Sequence, residues 1–392
     1  MARRHVTGMA VAVLAVAVTA AACGSSGGGS SSSSSGTKSV TIGFQGPLSG
    51  DNQQLGINGV DGVKTAIAEA NKKGDLPFTL KLAQSDDQGD PNVGPTAARS
   101  LIDNSAVLAV VGPMFSGATK ASEPLFSKAN LLSVSPSATN PALTTLGFTT
   151  FFRDIAPDTV QGAGAADYLA KTLKAKKIFS LDDSSEYGTG LSGAFEPEAK
   201  KDGATITHDS VNPTKDYTSE ATKIIAAKPD AVYYSGYYAE FALLTKALKT
   251  KGYSGVLASG DGSNDDQFIK QAGAANANGV YLTCPCGDAN SDPKAAAFVA
   301  SYKATNPGQK PGTYSGEAYD ATNAIITVLK QLGTGATRQS VATAFKSVNY
   351  VGLTKTLKFS ATGEVAGSNV YIYQVKNAER TVLGSTAVLV KG

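Results

Sequence analysis

The sequence predicts an α/β protein built as two doubly wound lobes. Three observations predict it. Apolar strand-like runs alternate with amphipathic helical runs between Val40 and Val134. The same alternation starts again at Ile178 and runs to Ala272. The chain has 392 residues, enough for two cores of ordinary size.

In the first lobe Val40–Phe44 reads as a strand, followed by the loop G-P-L-S-G-D at Gly46–Asp51. A helix from about Gly59 to Lys73 places Val63, Ala66, Ile67 and Ala70 on one face, and Gly74 closes it. Phe78–Ala83 alternates as a strand. Asp90-Pro91 has the pattern of an N-cap and first helical residue, predicting a helix to about Asn104. Val107–Val111 is continuously apolar, as a parallel strand covered on both faces must be. A loop at Gly112–Ser116, a helix at Gly117–Ala129 and a strand at Leu131–Val134 follow.

In the second lobe, strands are predicted at Ile178–Leu181, Thr205–His208, Ala231–Tyr234 and Val256–Ser259. A loop at Asp182–Gly190 leads to a helix ending near Lys201. Further helices are predicted at Tyr217–Ala227, Ala239–Lys251 and Asp265–Ala272. Beyond Cys286 come a long helix at Ser315–Leu332, a helix near Ser340–Ser347 and an alternating strand at Val370–Val375. These late pieces must join one lobe or the other, so the chain is expected to cross between lobes more than once.

Residues 1–23 read as an export signal. Arg3, Arg4 and His5 form a basic start, and Val6–Ala22 is apolar but short for a membrane span. The segment ends A-A-A-C at Cys23, in the manner of a bacterial lipoprotein signal, with Ala20 where Leu is commoner. Residues 24–38, almost all Gly and Ser, read as a flexible tether that suits a lipid-anchored protein.

Much chemistry is excluded. The net charge is only +3 and the basic residues are scattered, which argues against nucleic acid as a partner. His208 is the only histidine outside the signal, so no Ser–His or Cys–His pair can be built. No phosphate-loop motif occurs, and Gly43, Gly46 and Gly50 do not match a dinucleotide fingerprint. Asp261–Asp266 echoes a calcium loop but lacks its glycine and distal glutamate. No metal, cofactor or catalytic group is expected. Cys284-Pro285-Cys286 is too small for structural zinc, and the choice between a disulfide and two free thiols stays open.

What remains is a set of polar and aromatic residues placed after strands. Ser135, Ser137, Thr139 and Asn140 fall within six residues, interrupted by Pro136 and Pro141. Met114, Phe115 and Ser116 precede a helix whose free N–H groups can receive an anion without an arginine. The second lobe offers Tyr187, Tyr237 and Asp261, each after a strand. Each tyrosine alone reads as packing. Together the set suits an α-amino acid: carboxylate at the helix terminus, ammonium at Asp261 and Thr139, side chain on aromatic walls.

These residues resemble those of the substrate-binding proteins of ABC importers, of the branched-chain amino-acid (leucine/isoleucine/valine) kind. The resemblance covers the chain after the tether. It is carried by G-P-L-S-G at 46–50, D-D-x-x-D-P at 86–91, G-P-M-F-S at 112–116 and S-P-S-A-T-N-P-A-L-T at 135–144. It continues in E-Y-G-x-G at 186–190, Y-Y-S-G-Y at 233–237 and S-G-D-G at 259–262. By position it implies that Ser116, Ser137 and Thr139 hold the ligand's carboxylate and ammonium, with Ala138 also at the ligand and Asp261 the acid for the ammonium. Tyr187, Tyr237 and Tyr314 would line the cleft. Leu55 stands where relatives carry Tyr, and Phe115 replaces a Cys, so both alter the side-chain pocket.

The resemblance further implies two Rossmann-like lobes joined by three hinge crossovers near Ile155, Cys284 and Asn369. Lobe I would comprise 39–155 with 285–369, and lobe II 156–284 with 370–392. A Cys284–Cys286 disulfide would then stiffen a hinge. The expected protein is a monomeric receptor, not an enzyme. It would be anchored through lipidated Cys23 to the outer face of the bacterial cytoplasmic membrane, and would deliver its ligand to an ABC permease. A same-fold receptor for an amide, urea or aromatic acid, or a ligand sensor, is the alternative.

Overall fold

The computed structural model describes residues 38–367 and 369–390. The predicted signal, Cys23 and nearly all of the tether lie outside the described residues. Five parallel strands form the first sheet: β1 Ser39–Gly46, β2 Thr79–Asp86, β3 Val107–Val111, β4 Leu132–Ser135 and β5 Phe151–Arg153. Their order is β2-β1-β3-β4-β5. The crossovers are α1 Gln53–Lys73, α2 Gly94–Asp103 and α3 Ser116–Lys128. Ile42, Phe44, Ala109, Val111 and Val134 are fully buried, as strands with helices on both faces require.

The chain then passes to a second sheet through α4 Asp158–Asp167, which runs on as a π-turn at Tyr168–Thr172. Strands β6 Lys177–Asp182, β7 Thr205–Ser210, β8 Ala231–Ser235, β9 Val256–Ser259 and β10 Tyr281–Cys284 are parallel where paired. Between them run α5 Glu186–Lys201, α6 Thr218–Ala227, α7 Tyr238–Thr250, α8 Asp266–Ala272 and α9 Ala274–Ala277. Helices α10 Ala296–Thr305 and α11 Ser315–Leu332 then return to pack on α1, and α12 Arg338–Phe345 packs on β3 and β4. A short pair, β11 Tyr350–Val351 and β12 Thr356–Leu357, follows. The last crossing brings β13 Tyr371–Lys376 and β14 Glu379–Ser385 antiparallel onto β10, and α13 Thr386–Leu389 ends the described chain. The second sheet therefore reads β14-β13-β10-β9-β8-β6-β7. The fold is two Rossmann-like lobes, and the chain passes between the sheets three times.

Most expected elements form, with three corrections. Asp90-Pro91 does not open a helix. Asp90 closes a turn by accepting the Asn92, Val93 and Gly94 N–H groups, and α2 starts at Gly94 with Pro95 in its first turn. Helix α1 begins at Gln53, six residues before the expected Gly59. Tyr187 is not in a loop, because Ser185 caps α5 by accepting the Gly188 N–H at 2.9 Å.

The sulfurs of Cys284 and Cys286 are bonded to each other at the end of β10, where the chain leaves the second sheet. Alkylation of the protein, isolated without reductant, under denaturing conditions is therefore expected to label two more thiols after reduction than before. Equal labelling would remove the bond.

Glu123 on α3 is fully buried, and its Oε1 accepts only the Ser133 hydroxyl at 2.7 Å. Burial pushes its carboxyl up to about 8 from 4.5, against that hydrogen bond. Between those values the folded chain keeps a proton that the unfolded chain releases, so stability falls as pH rises through the window. Glu123→Gln is expected to melt with the native chain near about pH 4 and above it near about pH 8. A pH-independent difference would contradict this.

Candidate ligand-binding cleft

In an open α/β sheet, ligands bind beyond the carboxyl ends of the strands, where the strand order reverses. In the first sheet that point lies between β1 and β3, and in the second between β6 and β8. The two points face each other. From β3 the chain turns at Gly112, whose φ of +110° no side chain tolerates and whose Cβ would stand 2.1 Å from the Gln45 carbonyl. That turn delivers Met114, Phe115 and Ser116 to the cleft. The turn after β4 delivers Ser137. From the other lobe come Tyr187 on the first turn of α5, Tyr237 before α7, and Gly262 after β9. A Cβ on Gly262 would meet the Tyr187 and Tyr237 rings at 2.8 and 3.1 Å, so glycine lets both tyrosines close over it. Tyr314, just ahead of α11, completes the wall. The free space among them is about 10 Å³, room for about one water.

The hydrogen bonds give the two serines opposite roles. The Ser137 hydroxyl donates to the Met114 carbonyl, so its oxygen is left to accept. The Ser116 hydroxyl accepts the Asn140 N–H at 3.2 Å, so its proton is left to donate. Ser116 also opens α3, whose first N–H groups have no partner within the helix. A donor-rich point thus lies beside an acceptor-rich one, as the two ends of a zwitterion need.

Asp261 is fully buried behind this surface. The Tyr187 hydroxyl donates to its Oδ1 at 2.6 Å and the Tyr314 hydroxyl to its Oδ2 at 2.8 Å. Burial raises its carboxyl above the ordinary range, while the tyrosine hydrogen bonds oppose that rise. Tyr187 also accepts the Gly262 N–H at 3.1 Å. Burial, then the nearby Asp261 charge, pushes both phenols well above their usual range.

The expected site residues divide accordingly. Phe115, Ser116, Ser137, Tyr187, Tyr237 and Tyr314 meet around the space. Asp261 does not reach it and touches it only through tyrosine hydroxyls. Thr139 is buried beside Asp158, whose N–H its carbonyl accepts at 2.9 Å. Ala138 packs with Leu143 and Phe151, away from the cleft. Leu55 is a fully buried core residue of α1.

Two supporting residues escaped the sequence reading. Arg153 is fully buried at the end of β5 and donates to the Ala138 and Asn140 carbonyls at 3.1 and 2.7 Å, holding the Ser135–Pro141 loop. Its other face bonds both Glu364 oxygens. Asp158 is also fully buried, raised by burial and by the Asp261 charge. A lone arginine in F-F-R-D gave no periodic signal, because its partners lie far along the chain.

The lobes touch around the cleft. Phe115 stacks on Tyr237 at 4.2 Å between centroids. Asn140 donates to the Glu186 carbonyl and Lys120 pairs with the Glu186 carboxylate. Asn52 bonds both Glu240 and the Ala239 N–H, and the Asn58 side chain donates to Asp265 at 2.9 Å. Far from the cleft, Asp167, Glu198 and Asp202 lie within 4.8 Å of one another, but Lys171 bridges Asp167 and Asp202 in a cation's place.

A narrow polar cleft between two Rossmann-like lobes, supported by buried acids and tyrosines, defines a receptor for a small solute. Residues 39–380 match the model of the family described as periplasmic binding protein. The chain belongs to that family and is a solute receptor, not an enzyme. It is 31% identical to the Leu/Ile/Val-binding protein homolog 3 of Brucella melitensis, over 86% of this chain and 91% of that one. Among solved structures, the isoleucine complex of the branched-chain amino-acid transporter substrate-binding protein LivJ from Streptococcus pneumoniae matches with a TM-score of 0.80. Identity there is 27%, covering 88% of this chain and all of that one. The leucine-binding protein LivK of Thermotoga maritima matches with a TM-score of 0.81 at 25% identity, covering 88% and 98%.

Proposed function

We propose that this chain captures a small apolar α-amino acid of the leucine, isoleucine and valine class between its lobes and delivers it to an ABC importer. The observation that carries this reading is the opposed bias of Ser116 and Ser137, a donor and an acceptor side by side at a helix N-terminus. Relatives named for leucine, isoleucine and valine support it. Ser116 and the start of α3 take the carboxylate. Ser137 and the Tyr314 oxygen take the ammonium, with Asp261 holding the tyrosines in place. With so little free space, an amino acid enters only when the lobes part, and its binding favours their closing again.

The lobes are 39–155 with 285–369 and 156–284 with 370–392, and the Cys284–Cys286 bond stiffens one crossing. The protein works as a monomer outside the cytoplasmic membrane, tethered through lipidated Cys23.

Calorimetry on the chain from Thr37, unfolded and refolded to strip carried ligand, tests the proposal. One-to-one binding of the branched aliphatic amino acids, with none for glutamate or urea, is expected. Ser116→Ala or Ser137→Ala should each weaken it by about 1–3 kcal/mol. Silence across the panel would overturn the reading. Phe115→Ala removes the ring stacked on Tyr237 and enlarges the side-chain pocket. Phenylalanine is then expected to gain at least about tenfold over valine. The same stack favours a planar aromatic acid as the second reading, and binding of benzoate alone would select it.

A further inference from the structure

A second and larger cavity, of about 360 Å³, lies against the crossing segments at Pro285 and Asn369. Its walls come from both lobes. Asp288 and Asp292 follow the Cys284–Cys286 bond, Glu317 and Lys355 belong to the first lobe, and Tyr371 and Val382 stand on β13 and β14. None of them lines the cleft.

Glu317 is the unusual member. It is 2% exposed, yet its Oε1 has no hydrogen-bond partner among the described residues. A buried acceptor without a donor is costly. Glu317 sits in the first turn of α11, where the helix dipole favours a negative charge, but burial dominates and pushes its carboxyl up to about 7. Asp154 and Asp320 lie close behind it, and Lys355, which spends one of its three N–H donors on the Asp154 carbonyl at 2.6 Å, offsets only part of that negative charge. Asp320 is also satisfied, by the Leu353 and Thr354 N–H groups and the Thr354 hydroxyl.

We infer that this cavity is a second binding site, for a small alkylammonium compound whose N–H donates to Glu317 and whose carbon chain packs on Leu353, Tyr371 and Val382. A metal ion fits poorly. Asp288 and Asp292 spend oxygens on their own loop, at Asn290 and Lys294, and do not converge with Glu317 into a cage. Because both lobes form the walls, an occupant there responds to lobe movement.

The test is the melting midpoint of the exported chain titrated with n-butylamine, with butyrate and choline as probes that lack an ammonium N–H. Butylamine is expected to raise the midpoint saturably and the other two to leave it unmoved. Glu317→Gln should lower the apparent butylamine affinity at least tenfold, whereas Asp261→Asn in the cleft should not. Val382→Phe, which fills the cavity from β14, serves as the second variant and should also abolish the rise. No saturable rise, an equal rise with butyrate or choline, or a rise that survives both cavity variants overturns the site. A rise lost in Asp261→Asn instead places the amine in the cleft and overturns it equally.

Discussion

Asp261→Asn is expected to weaken amino-acid binding by about a hundredfold, although Asp261 does not line the cleft. Its carboxylate takes two phenol protons, from Tyr187 and Tyr314, in a fully buried setting. Hydrogen bonds to a charged group contribute roughly 1.5–3 kcal/mol each, and weakening two of them accounts for a loss near 3 kcal/mol. With its proton committed to Asp261, the Tyr314 oxygen can only accept, and it faces the expected ammonium. Asparagine has an N–H₂ group that competes with those phenol protons and turns the acceptor away. Calorimetry with leucine measures the effect. Tyr314→Phe should remove most of it, so the two substitutions together should cost less than their sum. Burial holds the Asp261 proton to higher pH than an ordinary aspartate, so binding should weaken on acidification before exposed carboxylates titrate, and Asp261→Asn should flatten that profile. A ligand without an ammonium would leave Asp261→Asn with no effect on affinity, which would select the urea, amide or aromatic-acid reading.

Arg153→Leu is expected to cost about 3–5 kcal/mol of stability, the largest loss from any single side chain considered. The guanidinium has no exposure and four acceptors: both Glu364 oxygens and the Ala138 and Asn140 carbonyls. Leucine fills part of the volume and satisfies none of them. Two buried carbonyls lose a donor, at about 1–3 kcal/mol each, while Glu364, 26% exposed and still accepting the Thr144 hydroxyl, loses less. For a chain of this size the melting midpoint should fall by roughly 5 °C. Arg153→Lys should recover little, since an ammonium cannot span Glu364 and two carbonyls at once. A fall of only a degree or two would mean that water replaces the guanidinium. The Ser135–Pro141 loop would also lose its brace, so ligand affinity should fall along with stability.

The parts of the fold that could be read from the chain are those whose signal is local. Val107–Val111 and Val256–Ser259 are apolar runs with turn residues on either side, and both are strands. Ser315–Leu332 runs eighteen residues without a proline and is one helix. The stretch between Thr145 and Lys177 had no such signal. Helix α4, D-T-V-Q-G-A-G-A-A-D, is small-sided because it lies against α5, where a Cβ on Gly162 would stand 2.8 Å from the Phe195 backbone nitrogen. A helix buried on most sides shows no polar face, so periodicity does not mark it. The cleft was legible as a set of residues after strands but not in its layering. Ser116, Ser137 and the tyrosines meet there, whereas Asp261, Thr139 and Leu55 stand behind or apart, a distinction set by packing between segments far apart in the chain. Arg153 was invisible for the same reason, its Glu364 partner lying 211 residues away.

The rim contacts, Asn52 with Glu240, Asn140 and Lys120 with Glu186, and Asn58 with Asp265, involve no ligand atom. A contact that forms only when the lobes meet would shift the balance between open and shut lobes by itself. Measured affinity is the intrinsic affinity of the competent form scaled by how often that form occurs. Selection acting on the rim can therefore raise or lower the strength of capture for every ligand in proportion, leaving the order of preference untouched. How tightly the receptor holds its cargo and which cargo it chooses are thus written in different residues, and a lineage can retune the first to a scarcer or richer surrounding without disturbing the second.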